Sequence, residues 1–296
     1  MPAVAVHEVL AAATRRLREA GFAAADAAAD VGVLARHLLR WDRGQLLARR
    51  LDPAPDGFGA ALEGLVSRRL ARVPVAYLTG LREFYGLDFE VTPDVLIPRP
   101  ETELVVEAAL MALPMPVTPR PFARVIDVGT GSGAIAVAIA AGRADLRVLA
   151  IDRSRAALAV ARRNVARHGV GARVALVAAN LLSAVDRGGT VDVVVSNPPY
   201  VPDASPDVAP DVRLHEPPLA LYAGADGLDV VRRLVADANA VLAPGGTLIM
   251  EIGAGQSGAV AALARDTGHW APARFRTDLQ GIERVAILAR EAGGGR

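Results

Sequence analysis

Apolar positions recur at helical spacing through residues 5–72. Leu10, Ala13 and Leu17 share one face, as do Val31, Leu34 and Leu38, then Leu62, Leu65, Val66 and Leu70. This pattern predicts amphipathic helices, punctuated by Gly21 and by the stretch "LDPAPDG". The period then drops to two. In "YGLDFEV", Tyr85, Leu87, Phe89 and Val91 alternate with polar or small residues, which predicts a strand. A second short strand is expected to end at Pro98. Pro100, Glu101 and Glu103 then open a helix, with the acids at its positive end. The segment "PMPVTPRP" holds four prolines in eight residues and reads as a stiff linker.

From Arg124 onward strands and helices alternate, the rhythm of a parallel sheet. "RVIDVG", "RVLAID", "RVALVAA" and "VDVVVS" read as successive strands, with "GAIAVAIAAG" and "SRAALAVARRNVARHG" as helices between them. A helix near 227–242 leads into "GGTLIMEIG", and "ARFRTD" with "ERVAILAR" reads as a closing antiparallel pair joined across "LQGI". The chain thus divides into a helical part over 1–80, a β-hairpin with proline-rich linker over 81–121, and a doubly wound α/β part over 122–296.

Composition narrows the chemistry. The 296 residues are 52% hydrophobic, enough for a substantial core. Every one of the 33 basic residues is Arg, and they balance 32 acids. An even balance disfavours a nucleic-acid partner, which a basic excess would favour. With no cysteine, disulfides, thiolate catalysis and Cys-ligated zinc are excluded. The start lacks a signal-peptide pattern, and no apolar run approaches the roughly 18–20 residues of a membrane span, so a cytoplasmic protein is expected. His7, His37, His168 and His269 lie apart in sequence and suggest no metal set. His215-Glu216 is a candidate acid–base pair, and Arg68, Arg69 and Arg72 read as a solvated helix face.

Two motifs carry chemistry. "DVGTGSGA" follows a strand and opens a helix, so Gly129 and Gly131 let the backbone turn sharply against a ligand. Asp152 ends the next strand, where an acid accepts the hydroxyls of a ribose. Gly129, Gly131 and Ala134 also fit the dinucleotide pattern, which leaves hydride transfer open. Asp127 weighs against a pyrophosphate and suits a cationic amino group, so adenosine joined to an amino acid, S-adenosylmethionine, is the better ligand. The second motif, "SNPPY" at 196–200, ends a buried strand. Its prolines fix the backbone, and the Pro198 carbonyl has no following N–H to occupy it. With the Asn197 side-chain oxygen it offers two acceptors to one planar NH2 group, against whose substrate Tyr200 can pack.

From about residue 65 to the C-terminus the chain resembles the class I methyltransferases with an N/D-P-P-Y motif. Within these it is similar to the peptide chain release factor glutamine methyltransferases. "VLIPRPETELVVE", "DVGTGSGAIAVAIA", "VVSNPPYV", "HEPPLALYAGADGLDVVRRL" and "DLQGIERVAI" carry the likeness. The helical N-terminus is similar in character, as expected of a substrate-recognition domain. The resemblance implies a mostly parallel, doubly wound class I fold with an antiparallel C-terminal strand. It also implies methyl transfer from S-adenosylmethionine to the glutamine of the release factor GGQ motif, in a monomeric cytoplasmic enzyme. Asp127, Val128, Gly129, Thr130 and Gly131 would line the methionine part of the cofactor, Asp152 its ribose, and Asn180 and Leu181 its adenine. Asn197 would border the cofactor and, with Pro198, Pro199 and Tyr200, hold the substrate. Asn180 departs from the family's usual aspartate, and Leu181 stands where relatives often carry an aromatic ring. A ribosomal-protein glutamine methyltransferase, a DNA adenine methyltransferase and a binding module without catalysis remain alternatives.

Overall fold

The structure, a computed structural model, describes residues 4–113 and 122–291. The linker segment "PMPVTPRP" lies outside the described residues. The chain separates into two compact units, one formed by residues 1–81 with 208–215, the other by 82–207 with 216–296.

In the first unit the helices Val6–Glu19, Ala24–Leu39 and Phe58–Leu70 bury the stripes that their periodicity marks. Val6, Leu17, Val31, Leu34, Leu62 and Val66 form the centre of its core. The short helix Arg43–Ala48 is set by a capping box, in which Asp42 accepts from Gln45 N and Gln45 returns its side-chain oxygen to Asp42 N. Arg69 corrects the solvated-face expectation: it is 8% exposed. Its guanidinium pairs with Asp30 at 2.7 Å and with Asp211 at 2.7 Å, and it stacks over the Phe22 ring. Two carboxylates and an aromatic face compensate its burial, so a polar residue takes an interior place.

The second unit opens with a hairpin, β1 (Leu81–Phe84) and β2 (Leu87–Glu90). Tyr85 and Gly86 both have positive φ, 53° and 74°, which is the geometry of a tight type I′ turn. Tyr85 therefore belongs to the turn rather than to a strand starting there. The strand expected up to Pro98 does not form. Ile97 N donates to the Glu216 carboxylate at 3.1 Å, and Pro98 has no N–H for a ladder, so a side chain holds this segment.

Seven further strands make one sheet: β3 (Ala123–Val128), β4 (Leu146–Asp152), β5 (Val174–Ala178), β6 (Val191–Ser196), β7 (Leu242–Glu251), β8 (Arg274–Thr277) and β9 (Glu283–Ala289). Their order is β5-β4-β3-β6-β7-β9-β8, parallel up to β7, with β9 antiparallel to both of its neighbours. This is the class I methyltransferase arrangement that the resemblance implies. The central β6, "VDVVVS", is buried along its whole length, as a parallel strand covered on both faces must be. The helix Ala134–Gly142 is buried nearly all round because its Ala, Ile and Val side chains meet apolar neighbours on every side. It starts at Gly133, with φ 82°, where a Cβ would stand 3.3 Å from the Cβ of Ala161. Ser257–Thr267 is a helix that the apolar pattern did not single out.

Candidate active site

The site follows from the register of β3 against its neighbours. The chain runs outward from β3 to β4 and β5, then returns to lay β6 on the other side, so a crevice opens at the carboxyl ends of these strands. Val128 is paired with Ile151 on one side and with Ser196 on the other. Ser196 Oγ donates to the Val128 carbonyl at 2.8 Å. One residue beyond each register partner come Gly129, Asp152 and Asn197, so the glycine turn, the acid and the Asn-Pro-Pro-Tyr corner emerge side by side. They face one cavity, lined among others by Gly129, Thr130, Gly131, Asp152, Asn180, Leu181, Asn197 and Pro199.

Four of the sequence-predicted residues stand behind that lining. Val128 and Pro198 are buried, and Tyr200 turns its hydroxyl toward Glu251 at 3.0 Å. Asp127 is fully buried. Its Oδ2 accepts from Thr130 Oγ1 at 2.6 Å and from Ala136 N at 3.2 Å, while Oδ1 is buried with no hydrogen-bond partner. Burial lifts this carboxyl to about 7, against the pull of those two donors and with the nearby Asp152 charge adding to the rise. A desolvated, half-satisfied carboxylate fits a ligand that brings a cationic donor and would repel a pyrophosphate.

Asp152 is organised differently. Its Oδ2 accepts from Gly131 N at 2.9 Å and its Oδ1 from Ser154 N at 2.8 Å. The carboxylate is thus fixed across the glycine turn, and each oxygen keeps a lone pair for hydroxyls. The turn itself is fastened by Gly129 N and Thr130 N, both donating to the Ile151 carbonyl. Asn164, wholly buried, joins the Ser132 carbonyl to both backbone groups of Glu90, tying the hairpin to the glycine turn.

On the other wall, Asn197 Nδ2 donates to Thr102 Oγ1 at 3.0 Å, and Thr102 Oγ1 donates to Glu251 Oε2 at 2.5 Å. The Tyr200 backbone is pressed against Gly227, where a Cβ would lie 2.2 Å from the Tyr200 carbonyl oxygen, so only glycine fits. Gln256 Nε2 donates to that same carbonyl at 3.1 Å.

His215 and Glu216 do not work as a pair. His215 Nε2 lies 2.9 Å from the Ala71 carbonyl, whereas Glu216, 3% exposed, accepts from Ile97 N and from Arg99 Nη2 at 2.5 Å. Glu216 therefore organises "LIPR", and the following Pro217, Leu219 and Ala220 line the cavity. Sequence reasoning missed Thr102 and Glu251 as parts of the site, and read Glu216 as half of an acid–base pair rather than as the anchor of "LIPR". The "IPRPETE" segment marked the surroundings of Thr102, but nothing local marked Glu251.

Residues 8–80 match the family described as the PrmC N-terminal domain, and residues 106–213 match the methyltransferase small domain. The release factor glutamine methyltransferase of Burkholderia pseudomallei is 44% identical over 263 residues, covering 88% of this chain and 90% of that one. That of Deinococcus radiodurans is 41% identical over 291 residues, covering 98% of this chain and 99% of its own. A methyltransferase of solved structure from Pyrococcus furiosus aligns with a TM-score of 0.52 at 19% identity, over 76% of this chain and 99% of that one, a likeness of fold alone. The similarity thus reaches through the helical part, where motifs showed only a likeness of character.

Proposed function

This chain belongs to the release factor glutamine methyltransferase family, and from that premise we propose that its Asn-Pro-Pro-Tyr corner holds the GGQ glutamine of a peptide chain release factor for methylation. The chain is an S-adenosylmethionine-dependent protein-glutamine N-methyltransferase. The cofactor, when bound, supplies an electrophilic methyl group. Asp127 to Gly131 are assigned to its methionine part, Asp152 to its ribose, and Asn180 with Leu181 to its adenine. The observation that carries this assignment is the shared cavity of Gly129–Gly131, Asp152 and Asn197.

An amide nitrogen is a poor nucleophile because its lone pair is delocalised, and removing its proton at neutral pH is not feasible. The chain's task is therefore to place and polarise that nitrogen. Asn197 Oδ1 and the Pro198 carbonyl accept its two N–H bonds and hold it in line for attack. The same acceptors stabilise the positive charge that develops on nitrogen, which then releases one N–H proton to water to leave the neutral N-methyl amide, so no nucleophilic side chain is needed. Tyr200, behind the cavity lining with its hydroxyl held by Glu251, is assigned to back the flat face of the amide. The alternatives, a ribosomal protein or DNA as substrate, find no favouring observation.

To test the substrate, the protein is incubated with methyl-labelled cofactor and, separately, an intact release factor, a ribosomal protein or DNA. Label is expected in the release factor; label only in one of the others assigns a different substrate.

Asp152→Ala is expected to weaken cofactor binding by about 1–3 kcal/mol, the scale of charge-assisted hydrogen bonds to a ribose. Calorimetry reads this directly, and an unchanged dissociation constant removes Asp152 from the site. We assign recognition of the protein substrate to residues 1–80, so a folded protein lacking them is expected to bind cofactor yet leave an intact release factor unmethylated. Full activity of that truncation contradicts the assignment. Among the described residues no helix is long and apolar enough to cross a membrane. A monomer working in the cytoplasm, without direct contact to nucleic acid, fits the balanced charge and a soluble protein substrate.

A further inference from the structure

Glu251 ends β7 and is 1% exposed. Its two oxygens have separate partners: Oε2 accepts from Thr102 Oγ1 at 2.5 Å, and Oε1 accepts from Tyr200 Oη at 3.0 Å. Thr102 Oγ1, itself buried, accepts from Asn197 Nδ2 at 3.0 Å. Burial raises the Glu251 carboxyl above its usual range, against the pull of the two hydroxyls that donate to it; in its ionised form it only accepts, so each hydroxyl commits its single proton to Glu251. Thr102 then has no proton left for Asn197 and can meet only the NH2 end of that amide. The Asn197 oxygen is thereby turned away from Thr102.

The direction matters because the two ends of an amide are nearly equal in size, and packing alone discriminates poorly between them. An Asn197 turned the other way would set its own NH2 against the NH2 of the substrate. We infer that Glu251 is a positioning residue which, through Thr102, fixes the acceptor end of Asn197 toward the incoming amide and, through Tyr200, fixes the adjoining ring. This rests on Asn197 being the acceptor of the proposed function. One buried carboxylate, far from the glycine turn in sequence, thus sets the polarity of the whole corner.

Glu251→Gln gives a specific test, since a glutamine has one acceptor and one donor end. With its NH2 toward Thr102, every group pairs, but Thr102 then donates to the Asn197 oxygen and the Asn197 amide reverses. With its NH2 toward Tyr200, Asn197 stays correct but the Tyr200 proton loses its partner. The reversed state is therefore favoured in the resting protein. Turnover at saturating substrates is expected to fall roughly 10–100-fold, with cofactor affinity changed less than about threefold. Thr102→Val is expected to lower turnover like Glu251→Gln, and Thr102→Ser to recover at least about tenfold of that loss by restoring the hydroxyl. Cofactor binding checks folding of each variant. Wild-type turnover in Glu251→Gln overturns the inference, as does a Thr102→Val loss that Thr102→Ser does not recover. If Asn197→Ala loses turnover while Glu251→Gln does not, the orienting role falls and the acceptor role stands; if Asn197→Ala keeps wild-type turnover, the acceptor role itself falls.

Discussion

Asn197→Ala is expected to lower turnover by roughly 10²–10³ while changing cofactor affinity far less. On the proposed assignment its side-chain oxygen is one of two acceptors at the reacting nitrogen, and loss of a preorganised polar contact there typically costs about 2.7–4 kcal/mol in the transition state. The prolines and the glycine turn remain, so the backbone of the corner survives. Asn197→Asp is expected to be milder, because a carboxylate also accepts from NH2. It would not be silent, since Thr102 Oγ1 loses the donor that Asn197 Nδ2 provides. Single-turnover rates with separately measured cofactor affinity distinguish the two effects. A wild-type rate in the Ala variant reduces the corner to a strand end.

Asp127→Asn should move cofactor affinity and stability in opposite directions. The carboxylate is buried with one oxygen unpaired, and on the proposed assignment the cofactor's ammonium group compensates it. Removing one member of such a buried charge pair costs about 3–5 kcal/mol, which is the expected loss in cofactor binding. Without cofactor the sign reverses. The carboxyl is raised to about 7 in the folded protein. A raised carboxyl contributes stability that is full below its unfolded value, about 3.9, and lost as pH climbs through 7. Asn carries no such loss, so at pH 8 the variant is expected to unfold at a higher temperature than the cofactor-free wild type. Wild-type cofactor affinity, by the same linkage, should weaken by up to about tenfold for each pH unit below 7, because binding must first remove the Asp127 proton. Calorimetry from pH 5.5 to 8 checks the slope. A flat profile would mean that Asp127 stays ionised without ligand.

The parallel sheet was legible because its strands are short apolar runs bounded by glycine turns and separated by helical periodicity. The glycine turn and the Asn-Pro-Pro-Tyr corner were legible because each follows a buried strand, and β-sheet register then brings them together. What escaped depends on contacts distant in sequence. Alternation placed Tyr85 in phase with Leu87 and Phe89, yet two positive φ angles make it a turn residue. The stretch before Pro98 looks like a strand in sequence, but Glu216 rather than a strand partner satisfies Ile97 N. Arg69 is polar in any periodicity, and only Asp211 and Asp30 reveal it as an interior residue. Glu251 shows the same limit most sharply. It reads as an acid at a strand end, whereas its partner Thr102 lies 149 residues earlier. No local pattern reports such a pairing, although it organises the wall of the site.

On the proposed assignment, this corner presents a glutamine amide nitrogen for methyl transfer. The most direct measurement is mass-spectrometric mapping of an intact release factor after reaction with the protein and S-adenosylmethionine. One added methyl on the side-chain amide of the GGQ glutamine, absent with Asn197→Ala under the same single-turnover conditions, is the predicted result. A methyl found on any other residue, or equal modification by the Ala variant, would contradict it.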